Sequence, residues 1–189
     1  MAIRPIRLYG DPVLRQRTKR VESVDAELRT LIDDMIDTMR NAEGIGLAAP
    51  QIGRLERIFV VDVSPMKEEM EEEFQDILPQ QPMVLVNPEL TWESELEEKF
   101  EEGCLSIPDL RELVVRPESI EIAYQDVTMQ KHSHAVGGIL ARVFQHEYDH
   151  LEGVLFTDHI SPFRRSLLKR KLTEISQGDI QVNYPVQSV

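Results

Sequence analysis

The sequence predicts an α+β fold in which antiparallel-rich, mixed β-sheets surround a central helix, with a further helix towards each terminus. Three observations lead there. Two short β-branched runs, 58–63 (IFVVDV) and 83–86 (MVLV), have the composition of buried strands. Short strand-like segments at 113–115, 119–125 and 129–134 follow, separated only by Pro117 and a polar turn at Asp126, which is the spacing of an antiparallel sheet. Stretches with a helical apolar period flank these strands on both sides. With 189 residues the chain can bury a real core, and 1–189 is read as one domain without internal repeats.

Along the chain, Leu28, Leu31, Ile32, Met35, Ile36 and Met39 recur at three- and four-residue spacing, predicting a helix over 25–41 with one apolar stripe. Ser23 or Asp25 can cap its start, and Gly44 follows its end. The segment 44–51 (GIGLAAPQ) has the glycines and proline of a shaped loop rather than of regular structure. A polar, glutamate-rich insertion at 64–81 separates the two buried strands. Ile139, Leu140, Val143 and Phe144 set a second helical period that runs through His146 and His150 to Gly153. Pro162 after Ser161 opens a C-terminal helix over 162–176.

The formal charge is −13, and thirteen of the 34 acidic residues fall between 67 and 102. By contrast, 161–171 (SPFRRSLLKRK) carries five bases and no acid, a candidate contact for a polyanion or an acidic partner. No apolar run reaches the ~18 residues of a membrane helix or forms a signal peptide, so a soluble cytoplasmic protein without a membrane partner is expected; no DNA partner is expected either. A single cysteine, Cys104, excludes an internal disulfide and leaves one thiol for chemistry.

The sharpest chemical signal is His146-Glu147-Tyr148-Asp149-His150. Two histidines four residues apart on a helix lie about 40° apart around its axis and can bind one metal ion, with Glu147 beside it. A third ligand is needed. Six residues past His150, where one metallopeptidase class places a third histidine, stands Phe156. Glu174 is the only glutamate of the C-terminal helix, but its surroundings are strongly basic. Cys104, in the segment 102–106 (EGCLS), is the better candidate, because a thiolate with two imidazoles suits zinc or ferrous iron and leaves a position for water. His132, His134 and His159 are read as non-ligands.

Three segments, GIGLAAPQ at 44–51, EGCLS at 102–106 and QHEYDH at 145–150, resemble in order and spacing the signature motifs of the peptide deformylase family, and GDPVLR at 10–15 adds to the likeness. The resemblance implies a metal-dependent hydrolase that removes the formyl group from the N-terminal N-formylmethionine of newly synthesised polypeptides. It assigns Cys104, His146 and His150 to one metal, Fe2+ in the native enzyme, with Zn2+, Ni2+ or Co2+ as substitutes. Glu147 would handle the proton, while the Gln51 amide and the Leu105 N–H would face the oxyanion. Ile45 and Gly46 would pair with the substrate backbone, and Ile45, Ile139 and Val143 would line the methionine pocket. Arg142 is expected at the border of that pocket, stem packed and guanidinium outward. The placement of the basic helix implies docking on the ribosome through Arg164, Arg165, Lys169, Arg170 and Lys171. The alternatives are a metallopeptidase of the His-Glu-x-x-His type using Glu174, and a non-catalytic ribosome-associated metal-binding protein.

Overall fold

Antiparallel pairing dominates the computed structural model, which describes residues 2–66 and 81–188. Five strands form its main sheet: β2 (Gly46–Ala48), β3 (Ile58–Val61), β4 (Met83–Glu93), β7 (Ser119–Gln125) and β8 (Lys131–Gly137), lying in that order with every pair antiparallel. A separate antiparallel ribbon joins β5 (Glu97–Cys104) to β6 (Ile107–Pro117). A short parallel pair joins β1 (Ile6–Arg7) near the N-terminus to β9 (Val186–Gln187) near the C-terminus. The α+β, mixed-sheet expectation therefore holds. The acidic insertion expected at 64–81 lies almost wholly outside the described residues.

The alternation of side chains along β3 explains how the sheet is covered. Phe59 and Val61 face one side, where they pack with Leu140, Val143, Phe144 and Leu151 of helix α2 (Gly138–Glu152). Ile58 and Val60 face the other, against Leu28, Leu31, Ile32, Met35 and Met39 of helix α1 (Ala26–Asn41). A strand covered on both faces reads as a continuous apolar run, which is what IFVV is. A third core joins Leu110 and Val114 of β6 to Leu172 and Ile175 of helix α3 (Pro162–Ser176).

Helix ends follow local chemistry. The Asp25 carboxylate accepts the Leu28 N–H at 2.9 Å, capping α1. Helix α2 stops at Gly153, whose φ of 75° favours glycine; a Cβ there would meet the Arg15 carbonyl oxygen at 2.6 Å. Ser161 caps α3 through the Arg164 N–H, with Pro162 in the first turn.

Two segments differ from expectation. Residues 46–48, read as loop, form β2, because Asp62 N–H donates to Ile45 O at 2.9 Å and the ladder continues from Gly46↔Val61 to Ala48↔Phe59. A three-residue strand is too short to leave a periodic signal between glycines and a proline. The other is β5, hidden by its acids: Glu97, Glu98 and Glu101 are exposed, and Glu102 is buried against basic partners rather than apolar ones.

Candidate metal centre and active site

Helix α2 brings His146 and His150 to one face, their ring centroids 5.1 Å apart and edge to face. The ribbon delivers Cys104 at the end of β5, and its Sγ lies 3.3 Å from His150 Nε2. The ligand atoms of Cys104, His146 and His150 all lie within 4.8 Å of one another, which among the described residues is the group able to hold a metal ion. Glu174 is not part of it and pairs with Arg170 at 2.9 Å on α3. Phe156, buried, stacks on His146 at 6.2 Å.

His146 is held from behind, whereas His150 Nδ1 is buried without a hydrogen-bond partner among the described residues. Glu102 Oε2 stands 3.0 Å from His146 Nδ1. An ionised carboxylate only accepts, so Nδ1 is the donor and the Nε2 lone pair is left for a cation. Glu102 also accepts from Arg116 at 2.7 and 3.0 Å and from Arg142 at 2.9 Å. Burial opposes its charge, but His146 and Arg116 hold its carboxyl well below the usual range. Arg116 reaches on to Asp149 at 2.7 Å, and Asp149 faces His159 at 2.7 Å.

Burial also opposes ionisation of Cys104, yet the imidazoles of His150 and His146 bring its pKa down to about 5. His146 is displaced well upward, because Cys104 and Glu102 outweigh its burial, so a metal ion bound at Nε2 would take the place of a proton there. Glu147 behaves in the opposite way: burial pushes its carboxyl up to about 7 despite the two imidazoles. Its Oε2 is buried without a hydrogen-bond partner, and an unsatisfied carboxyl oxygen beside a thiol and two imidazoles fits a pocket shaped for a cation and water.

Gln51 is 1% exposed; Ala48 N–H donates to its Oε1 at 2.8 Å, which aims Nε2 at Cys104 Sγ (3.5 Å) and Ser106 Oγ (3.4 Å). Leu105 follows Cys104 directly. Gly46 meets Glu147 so closely that a Cβ would stand 2.7 Å from its Cδ. Ile45, Ile139 and Val143 all pack on the core shared by α2 and the main sheet. Gln51 and Gly46 thus lie against Cys104 and Glu147, while Ile45, Ile139 and Val143 belong to the apolar core on which α2 packs.

Arg142 is a correction. Its guanidinium turns inward, only 8% of the residue is exposed, and it donates to Glu102 Oε1, Val114 O (3.2 Å) and Glu98 O (2.7 Å) while lying over the Phe100 ring. A buried carboxylate and two carbonyl oxygens of the ribbon supply what solvent would otherwise supply. Sequence reasoning also left Glu102, Arg116 and Asp149 without roles. The available signal was charged residues at inward positions of β6, where Glu112 and Arg116 alternate with outward Leu113 and Val115.

The basic patch is largely paired. Arg164 binds Glu112, Arg165 lies 3.7 Å from Asp158, Arg170 binds Glu174, and Lys171 stands 4.0 Å from Asp109. His132 and His134 flank the Tyr124 ring, bonded to Asp126 and to the Tyr124 hydroxyl. No helix among the described residues is long and apolar enough to cross a membrane.

Residues 3–166 match the family model described as Polypeptide deformylase. The chain belongs to the polypeptide deformylase family. A peptide deformylase of Salinibacter ruber is 52% identical over 184 residues, spanning 97% of this chain and 94% of its own. One from Rhizobium meliloti is 44% identical over 177 residues, spanning 94% and 96%. The crystal structure of a peptide deformylase from Legionella pneumophila is similar with a TM-score of 0.81 at 40% identity, covering 94% of this chain and 98% of that one. The family's metal-dependent reaction removes the formyl group from an N-terminal methionine, and this chain is an enzyme of that kind.

Proposed function

We propose that deformylation takes place at the junction of α2, the β5–β6 turn and β2, with Cys104, His146 and His150 holding one Fe2+ ion that Zn2+, Ni2+ or Co2+ can replace. The observation that carries this reading is the grouping of three nitrogen and sulfur donors within 4.8 Å beside the unpartnered carboxyl oxygen of Glu147. One thiolate and two imidazoles suit either ferrous iron or zinc, and three protein ligands leave a position open. Bound there, the ion supplies Lewis acidity and lowers the pKa of water.

The remaining work belongs to the chain. Glu147 takes a proton from the water that attacks the formyl carbon and returns it to the amine nitrogen as the C–N bond breaks and formate leaves. The Gln51 Nε2 and Leu105 N–H donate to the oxygen on which negative charge develops. β2 is an edge strand of the main sheet, so the backbone at Ile45 and Gly46 offers an extended peptide a strand to pair with. Ile45, Ile139 and Val143 form an apolar wall for the methionine side chain, with Arg142 behind that wall rather than at its mouth.

The substrates in this reading are nascent chains in the cytoplasm, and the exposed bases of α3, Lys169 and Arg170 foremost, contact the ribosome. Charge reversal at both should weaken co-sedimentation with ribosomes; unchanged co-sedimentation would remove the docking claim. The central test is formate release from N-formyl-Met-Ala by anaerobically purified protein, wild type beside Glu147→Ala, with metal measured on both. Formate from wild type alone at equal metal content is expected. Metal-loaded wild type that releases none would overturn the assignment.

A further inference from the structure

The turn at Cys104-Leu105-Ser106 is closed by one pair of its own ribbon, Cys104↔Ile107, which stands beyond an irregularity in the ladder. Pairing between β5 and β6 slips register between Gly103↔Arg111 and Cys104↔Ile107, so the ladder that orders the rest of the hairpin is interrupted at the residues that matter. Besides the Gln51 amide, which reaches the side chains of Cys104 and Ser106, two donors from outside the ribbon grip the turn's backbone carbonyls. Tyr9 N–H donates to Ser106 O at 2.8 Å, and the Tyr184 hydroxyl donates to Leu105 O at 2.9 Å.

Tyr184 lies in the segment that returns from α3 across the protein, beyond residue 166 where the family match ends. Its return is well anchored. Ile6 N–H donates to Pro185 O at 2.9 Å, Leu8 N–H donates to Gln187 O at 3.0 Å, and Ile6 pairs in parallel with Val186. Ile180 and Val186 pack on the core that also holds Cys104, Leu8 and Ile107, while Tyr184 packs on the same core as Leu105. Burial pushes the Tyr184 hydroxyl up to about 12, so it remains a protonated donor across the working range. Each peptide unit is planar, so holding the Leu105 carbonyl fixes the 105–106 plane and restrains the torsions that aim the Leu105 N–H.

We propose that Tyr184 is a positioning residue for deformylation: through its bond to the Leu105 carbonyl, the C-terminal segment holds the Leu105 N–H on the developing oxyanion beside Cys104. This rests on the role given above to the Leu105 N–H. Tyr184→Phe removes the hydroxyl and keeps the ring, so its effect separates the bond from the packing.

The test compares wild type and Tyr184→Phe in kcat and KM on N-formyl-Met-Ala, metal content, melting temperature, and hydrogen exchange at the Leu105 and Ser106 amides. The variant is expected to keep its metal and to melt within a few degrees of wild type. Its kcat should fall about five- to tenfold with KM within about twofold, the order of one hydrogen bond realised in the transition state. Exchange at the Leu105 amide should quicken about as much. A lowered melting temperature with unchanged kcat would make Tyr184 a structural staple only, and a lowered kcat with unchanged Leu105 exchange would place its action elsewhere; either overturns the proposal. Metal-loaded wild type without formate release would instead bring down the underlying deformylase assignment, a failure visible in the wild type alone.

Discussion

Replacing Arg142 by Leu asks whether the inward guanidinium braces the site or borders the substrate. Arg142 donates to Glu102 at 2.9 Å, Val114 O at 3.2 Å and Glu98 O at 2.7 Å, and it is 8% exposed. Breaking a buried ion pair by removing one partner costs about 3–5 kcal/mol. Glu102 keeps Arg116 and His146, so the stranded charge is only partly uncompensated, and the Leu side chain refills some of the apolar contact over Phe100. The expected loss is about 2–3 kcal/mol, which lowers the melting temperature of a chain of this size by roughly 5–10 °C. Arg142→Lys should recover only part of it, because one ammonium cannot reproduce the forked pattern. Calorimetry of the metal-saturated proteins measures the shift, and formate release from formyl-peptides with different first side chains measures selectivity. An unchanged melting temperature together with altered selectivity would refute the bracing role and restore Arg142 to the pocket.

Gly46→Ala would put a Cβ 2.7 Å from Glu147 Cδ and 2.8 Å from its Cγ; kcat for formate release should fall by at least about 100-fold while the melting temperature moves by a few degrees, and a kcat within threefold of wild type would contradict the placement. Cys104→Ala should lose the ion in metal analysis while Glu174→Ala retains it, and the opposite pattern would favour the peptidase ligand set. Asp34 gives a pH dependence. Its burial would raise its pKa, but hydrogen bonds from Ala2 N–H and the Arg4 guanidinium outweigh that and leave it below the ordinary 3.8. A depressed carboxylate contributes stability that is fully present above its unfolded pKa and is lost as pH falls through the folded one. The melting-temperature deficit of Asp34→Asn should therefore be largest near pH 7 and shrink below about pH 4, and a deficit constant down to pH 2 would count against the ionised pairing.

What the sequence made legible was whatever a regular period or a single chemical purpose writes down. The α1 stripe needs apolar residues every three or four positions, and Asp25 caps it as its side chain allows. His146 and His150 must share a helix face, so their spacing is imposed by the helix itself. Cys104 stood out because it is the only thiol. Features that depend on two distant segments left no such trace. Strand β2 exists because β3 lies beside it, and β5 shows its inward face only when Arg116 and Arg142 are known to face Glu102. The Arg142 expectation went wrong for the same reason: a lone charge on an apolar helix face is normally led to solvent along its stem, unless a buried carboxylate from another element receives it. Glu102 is that carboxylate, and one of its oxygens also orients His146. The ion network that sequence patterning treats as surface charge thus supports His146, one of the three proposed metal ligands. Removing charge from Glu102 should consequently disturb metal affinity more than substrate affinity, since its contacts are to His146 and the two arginines rather than to Ile45, Ile139 and Val143, the residues proposed to receive the methionine side chain.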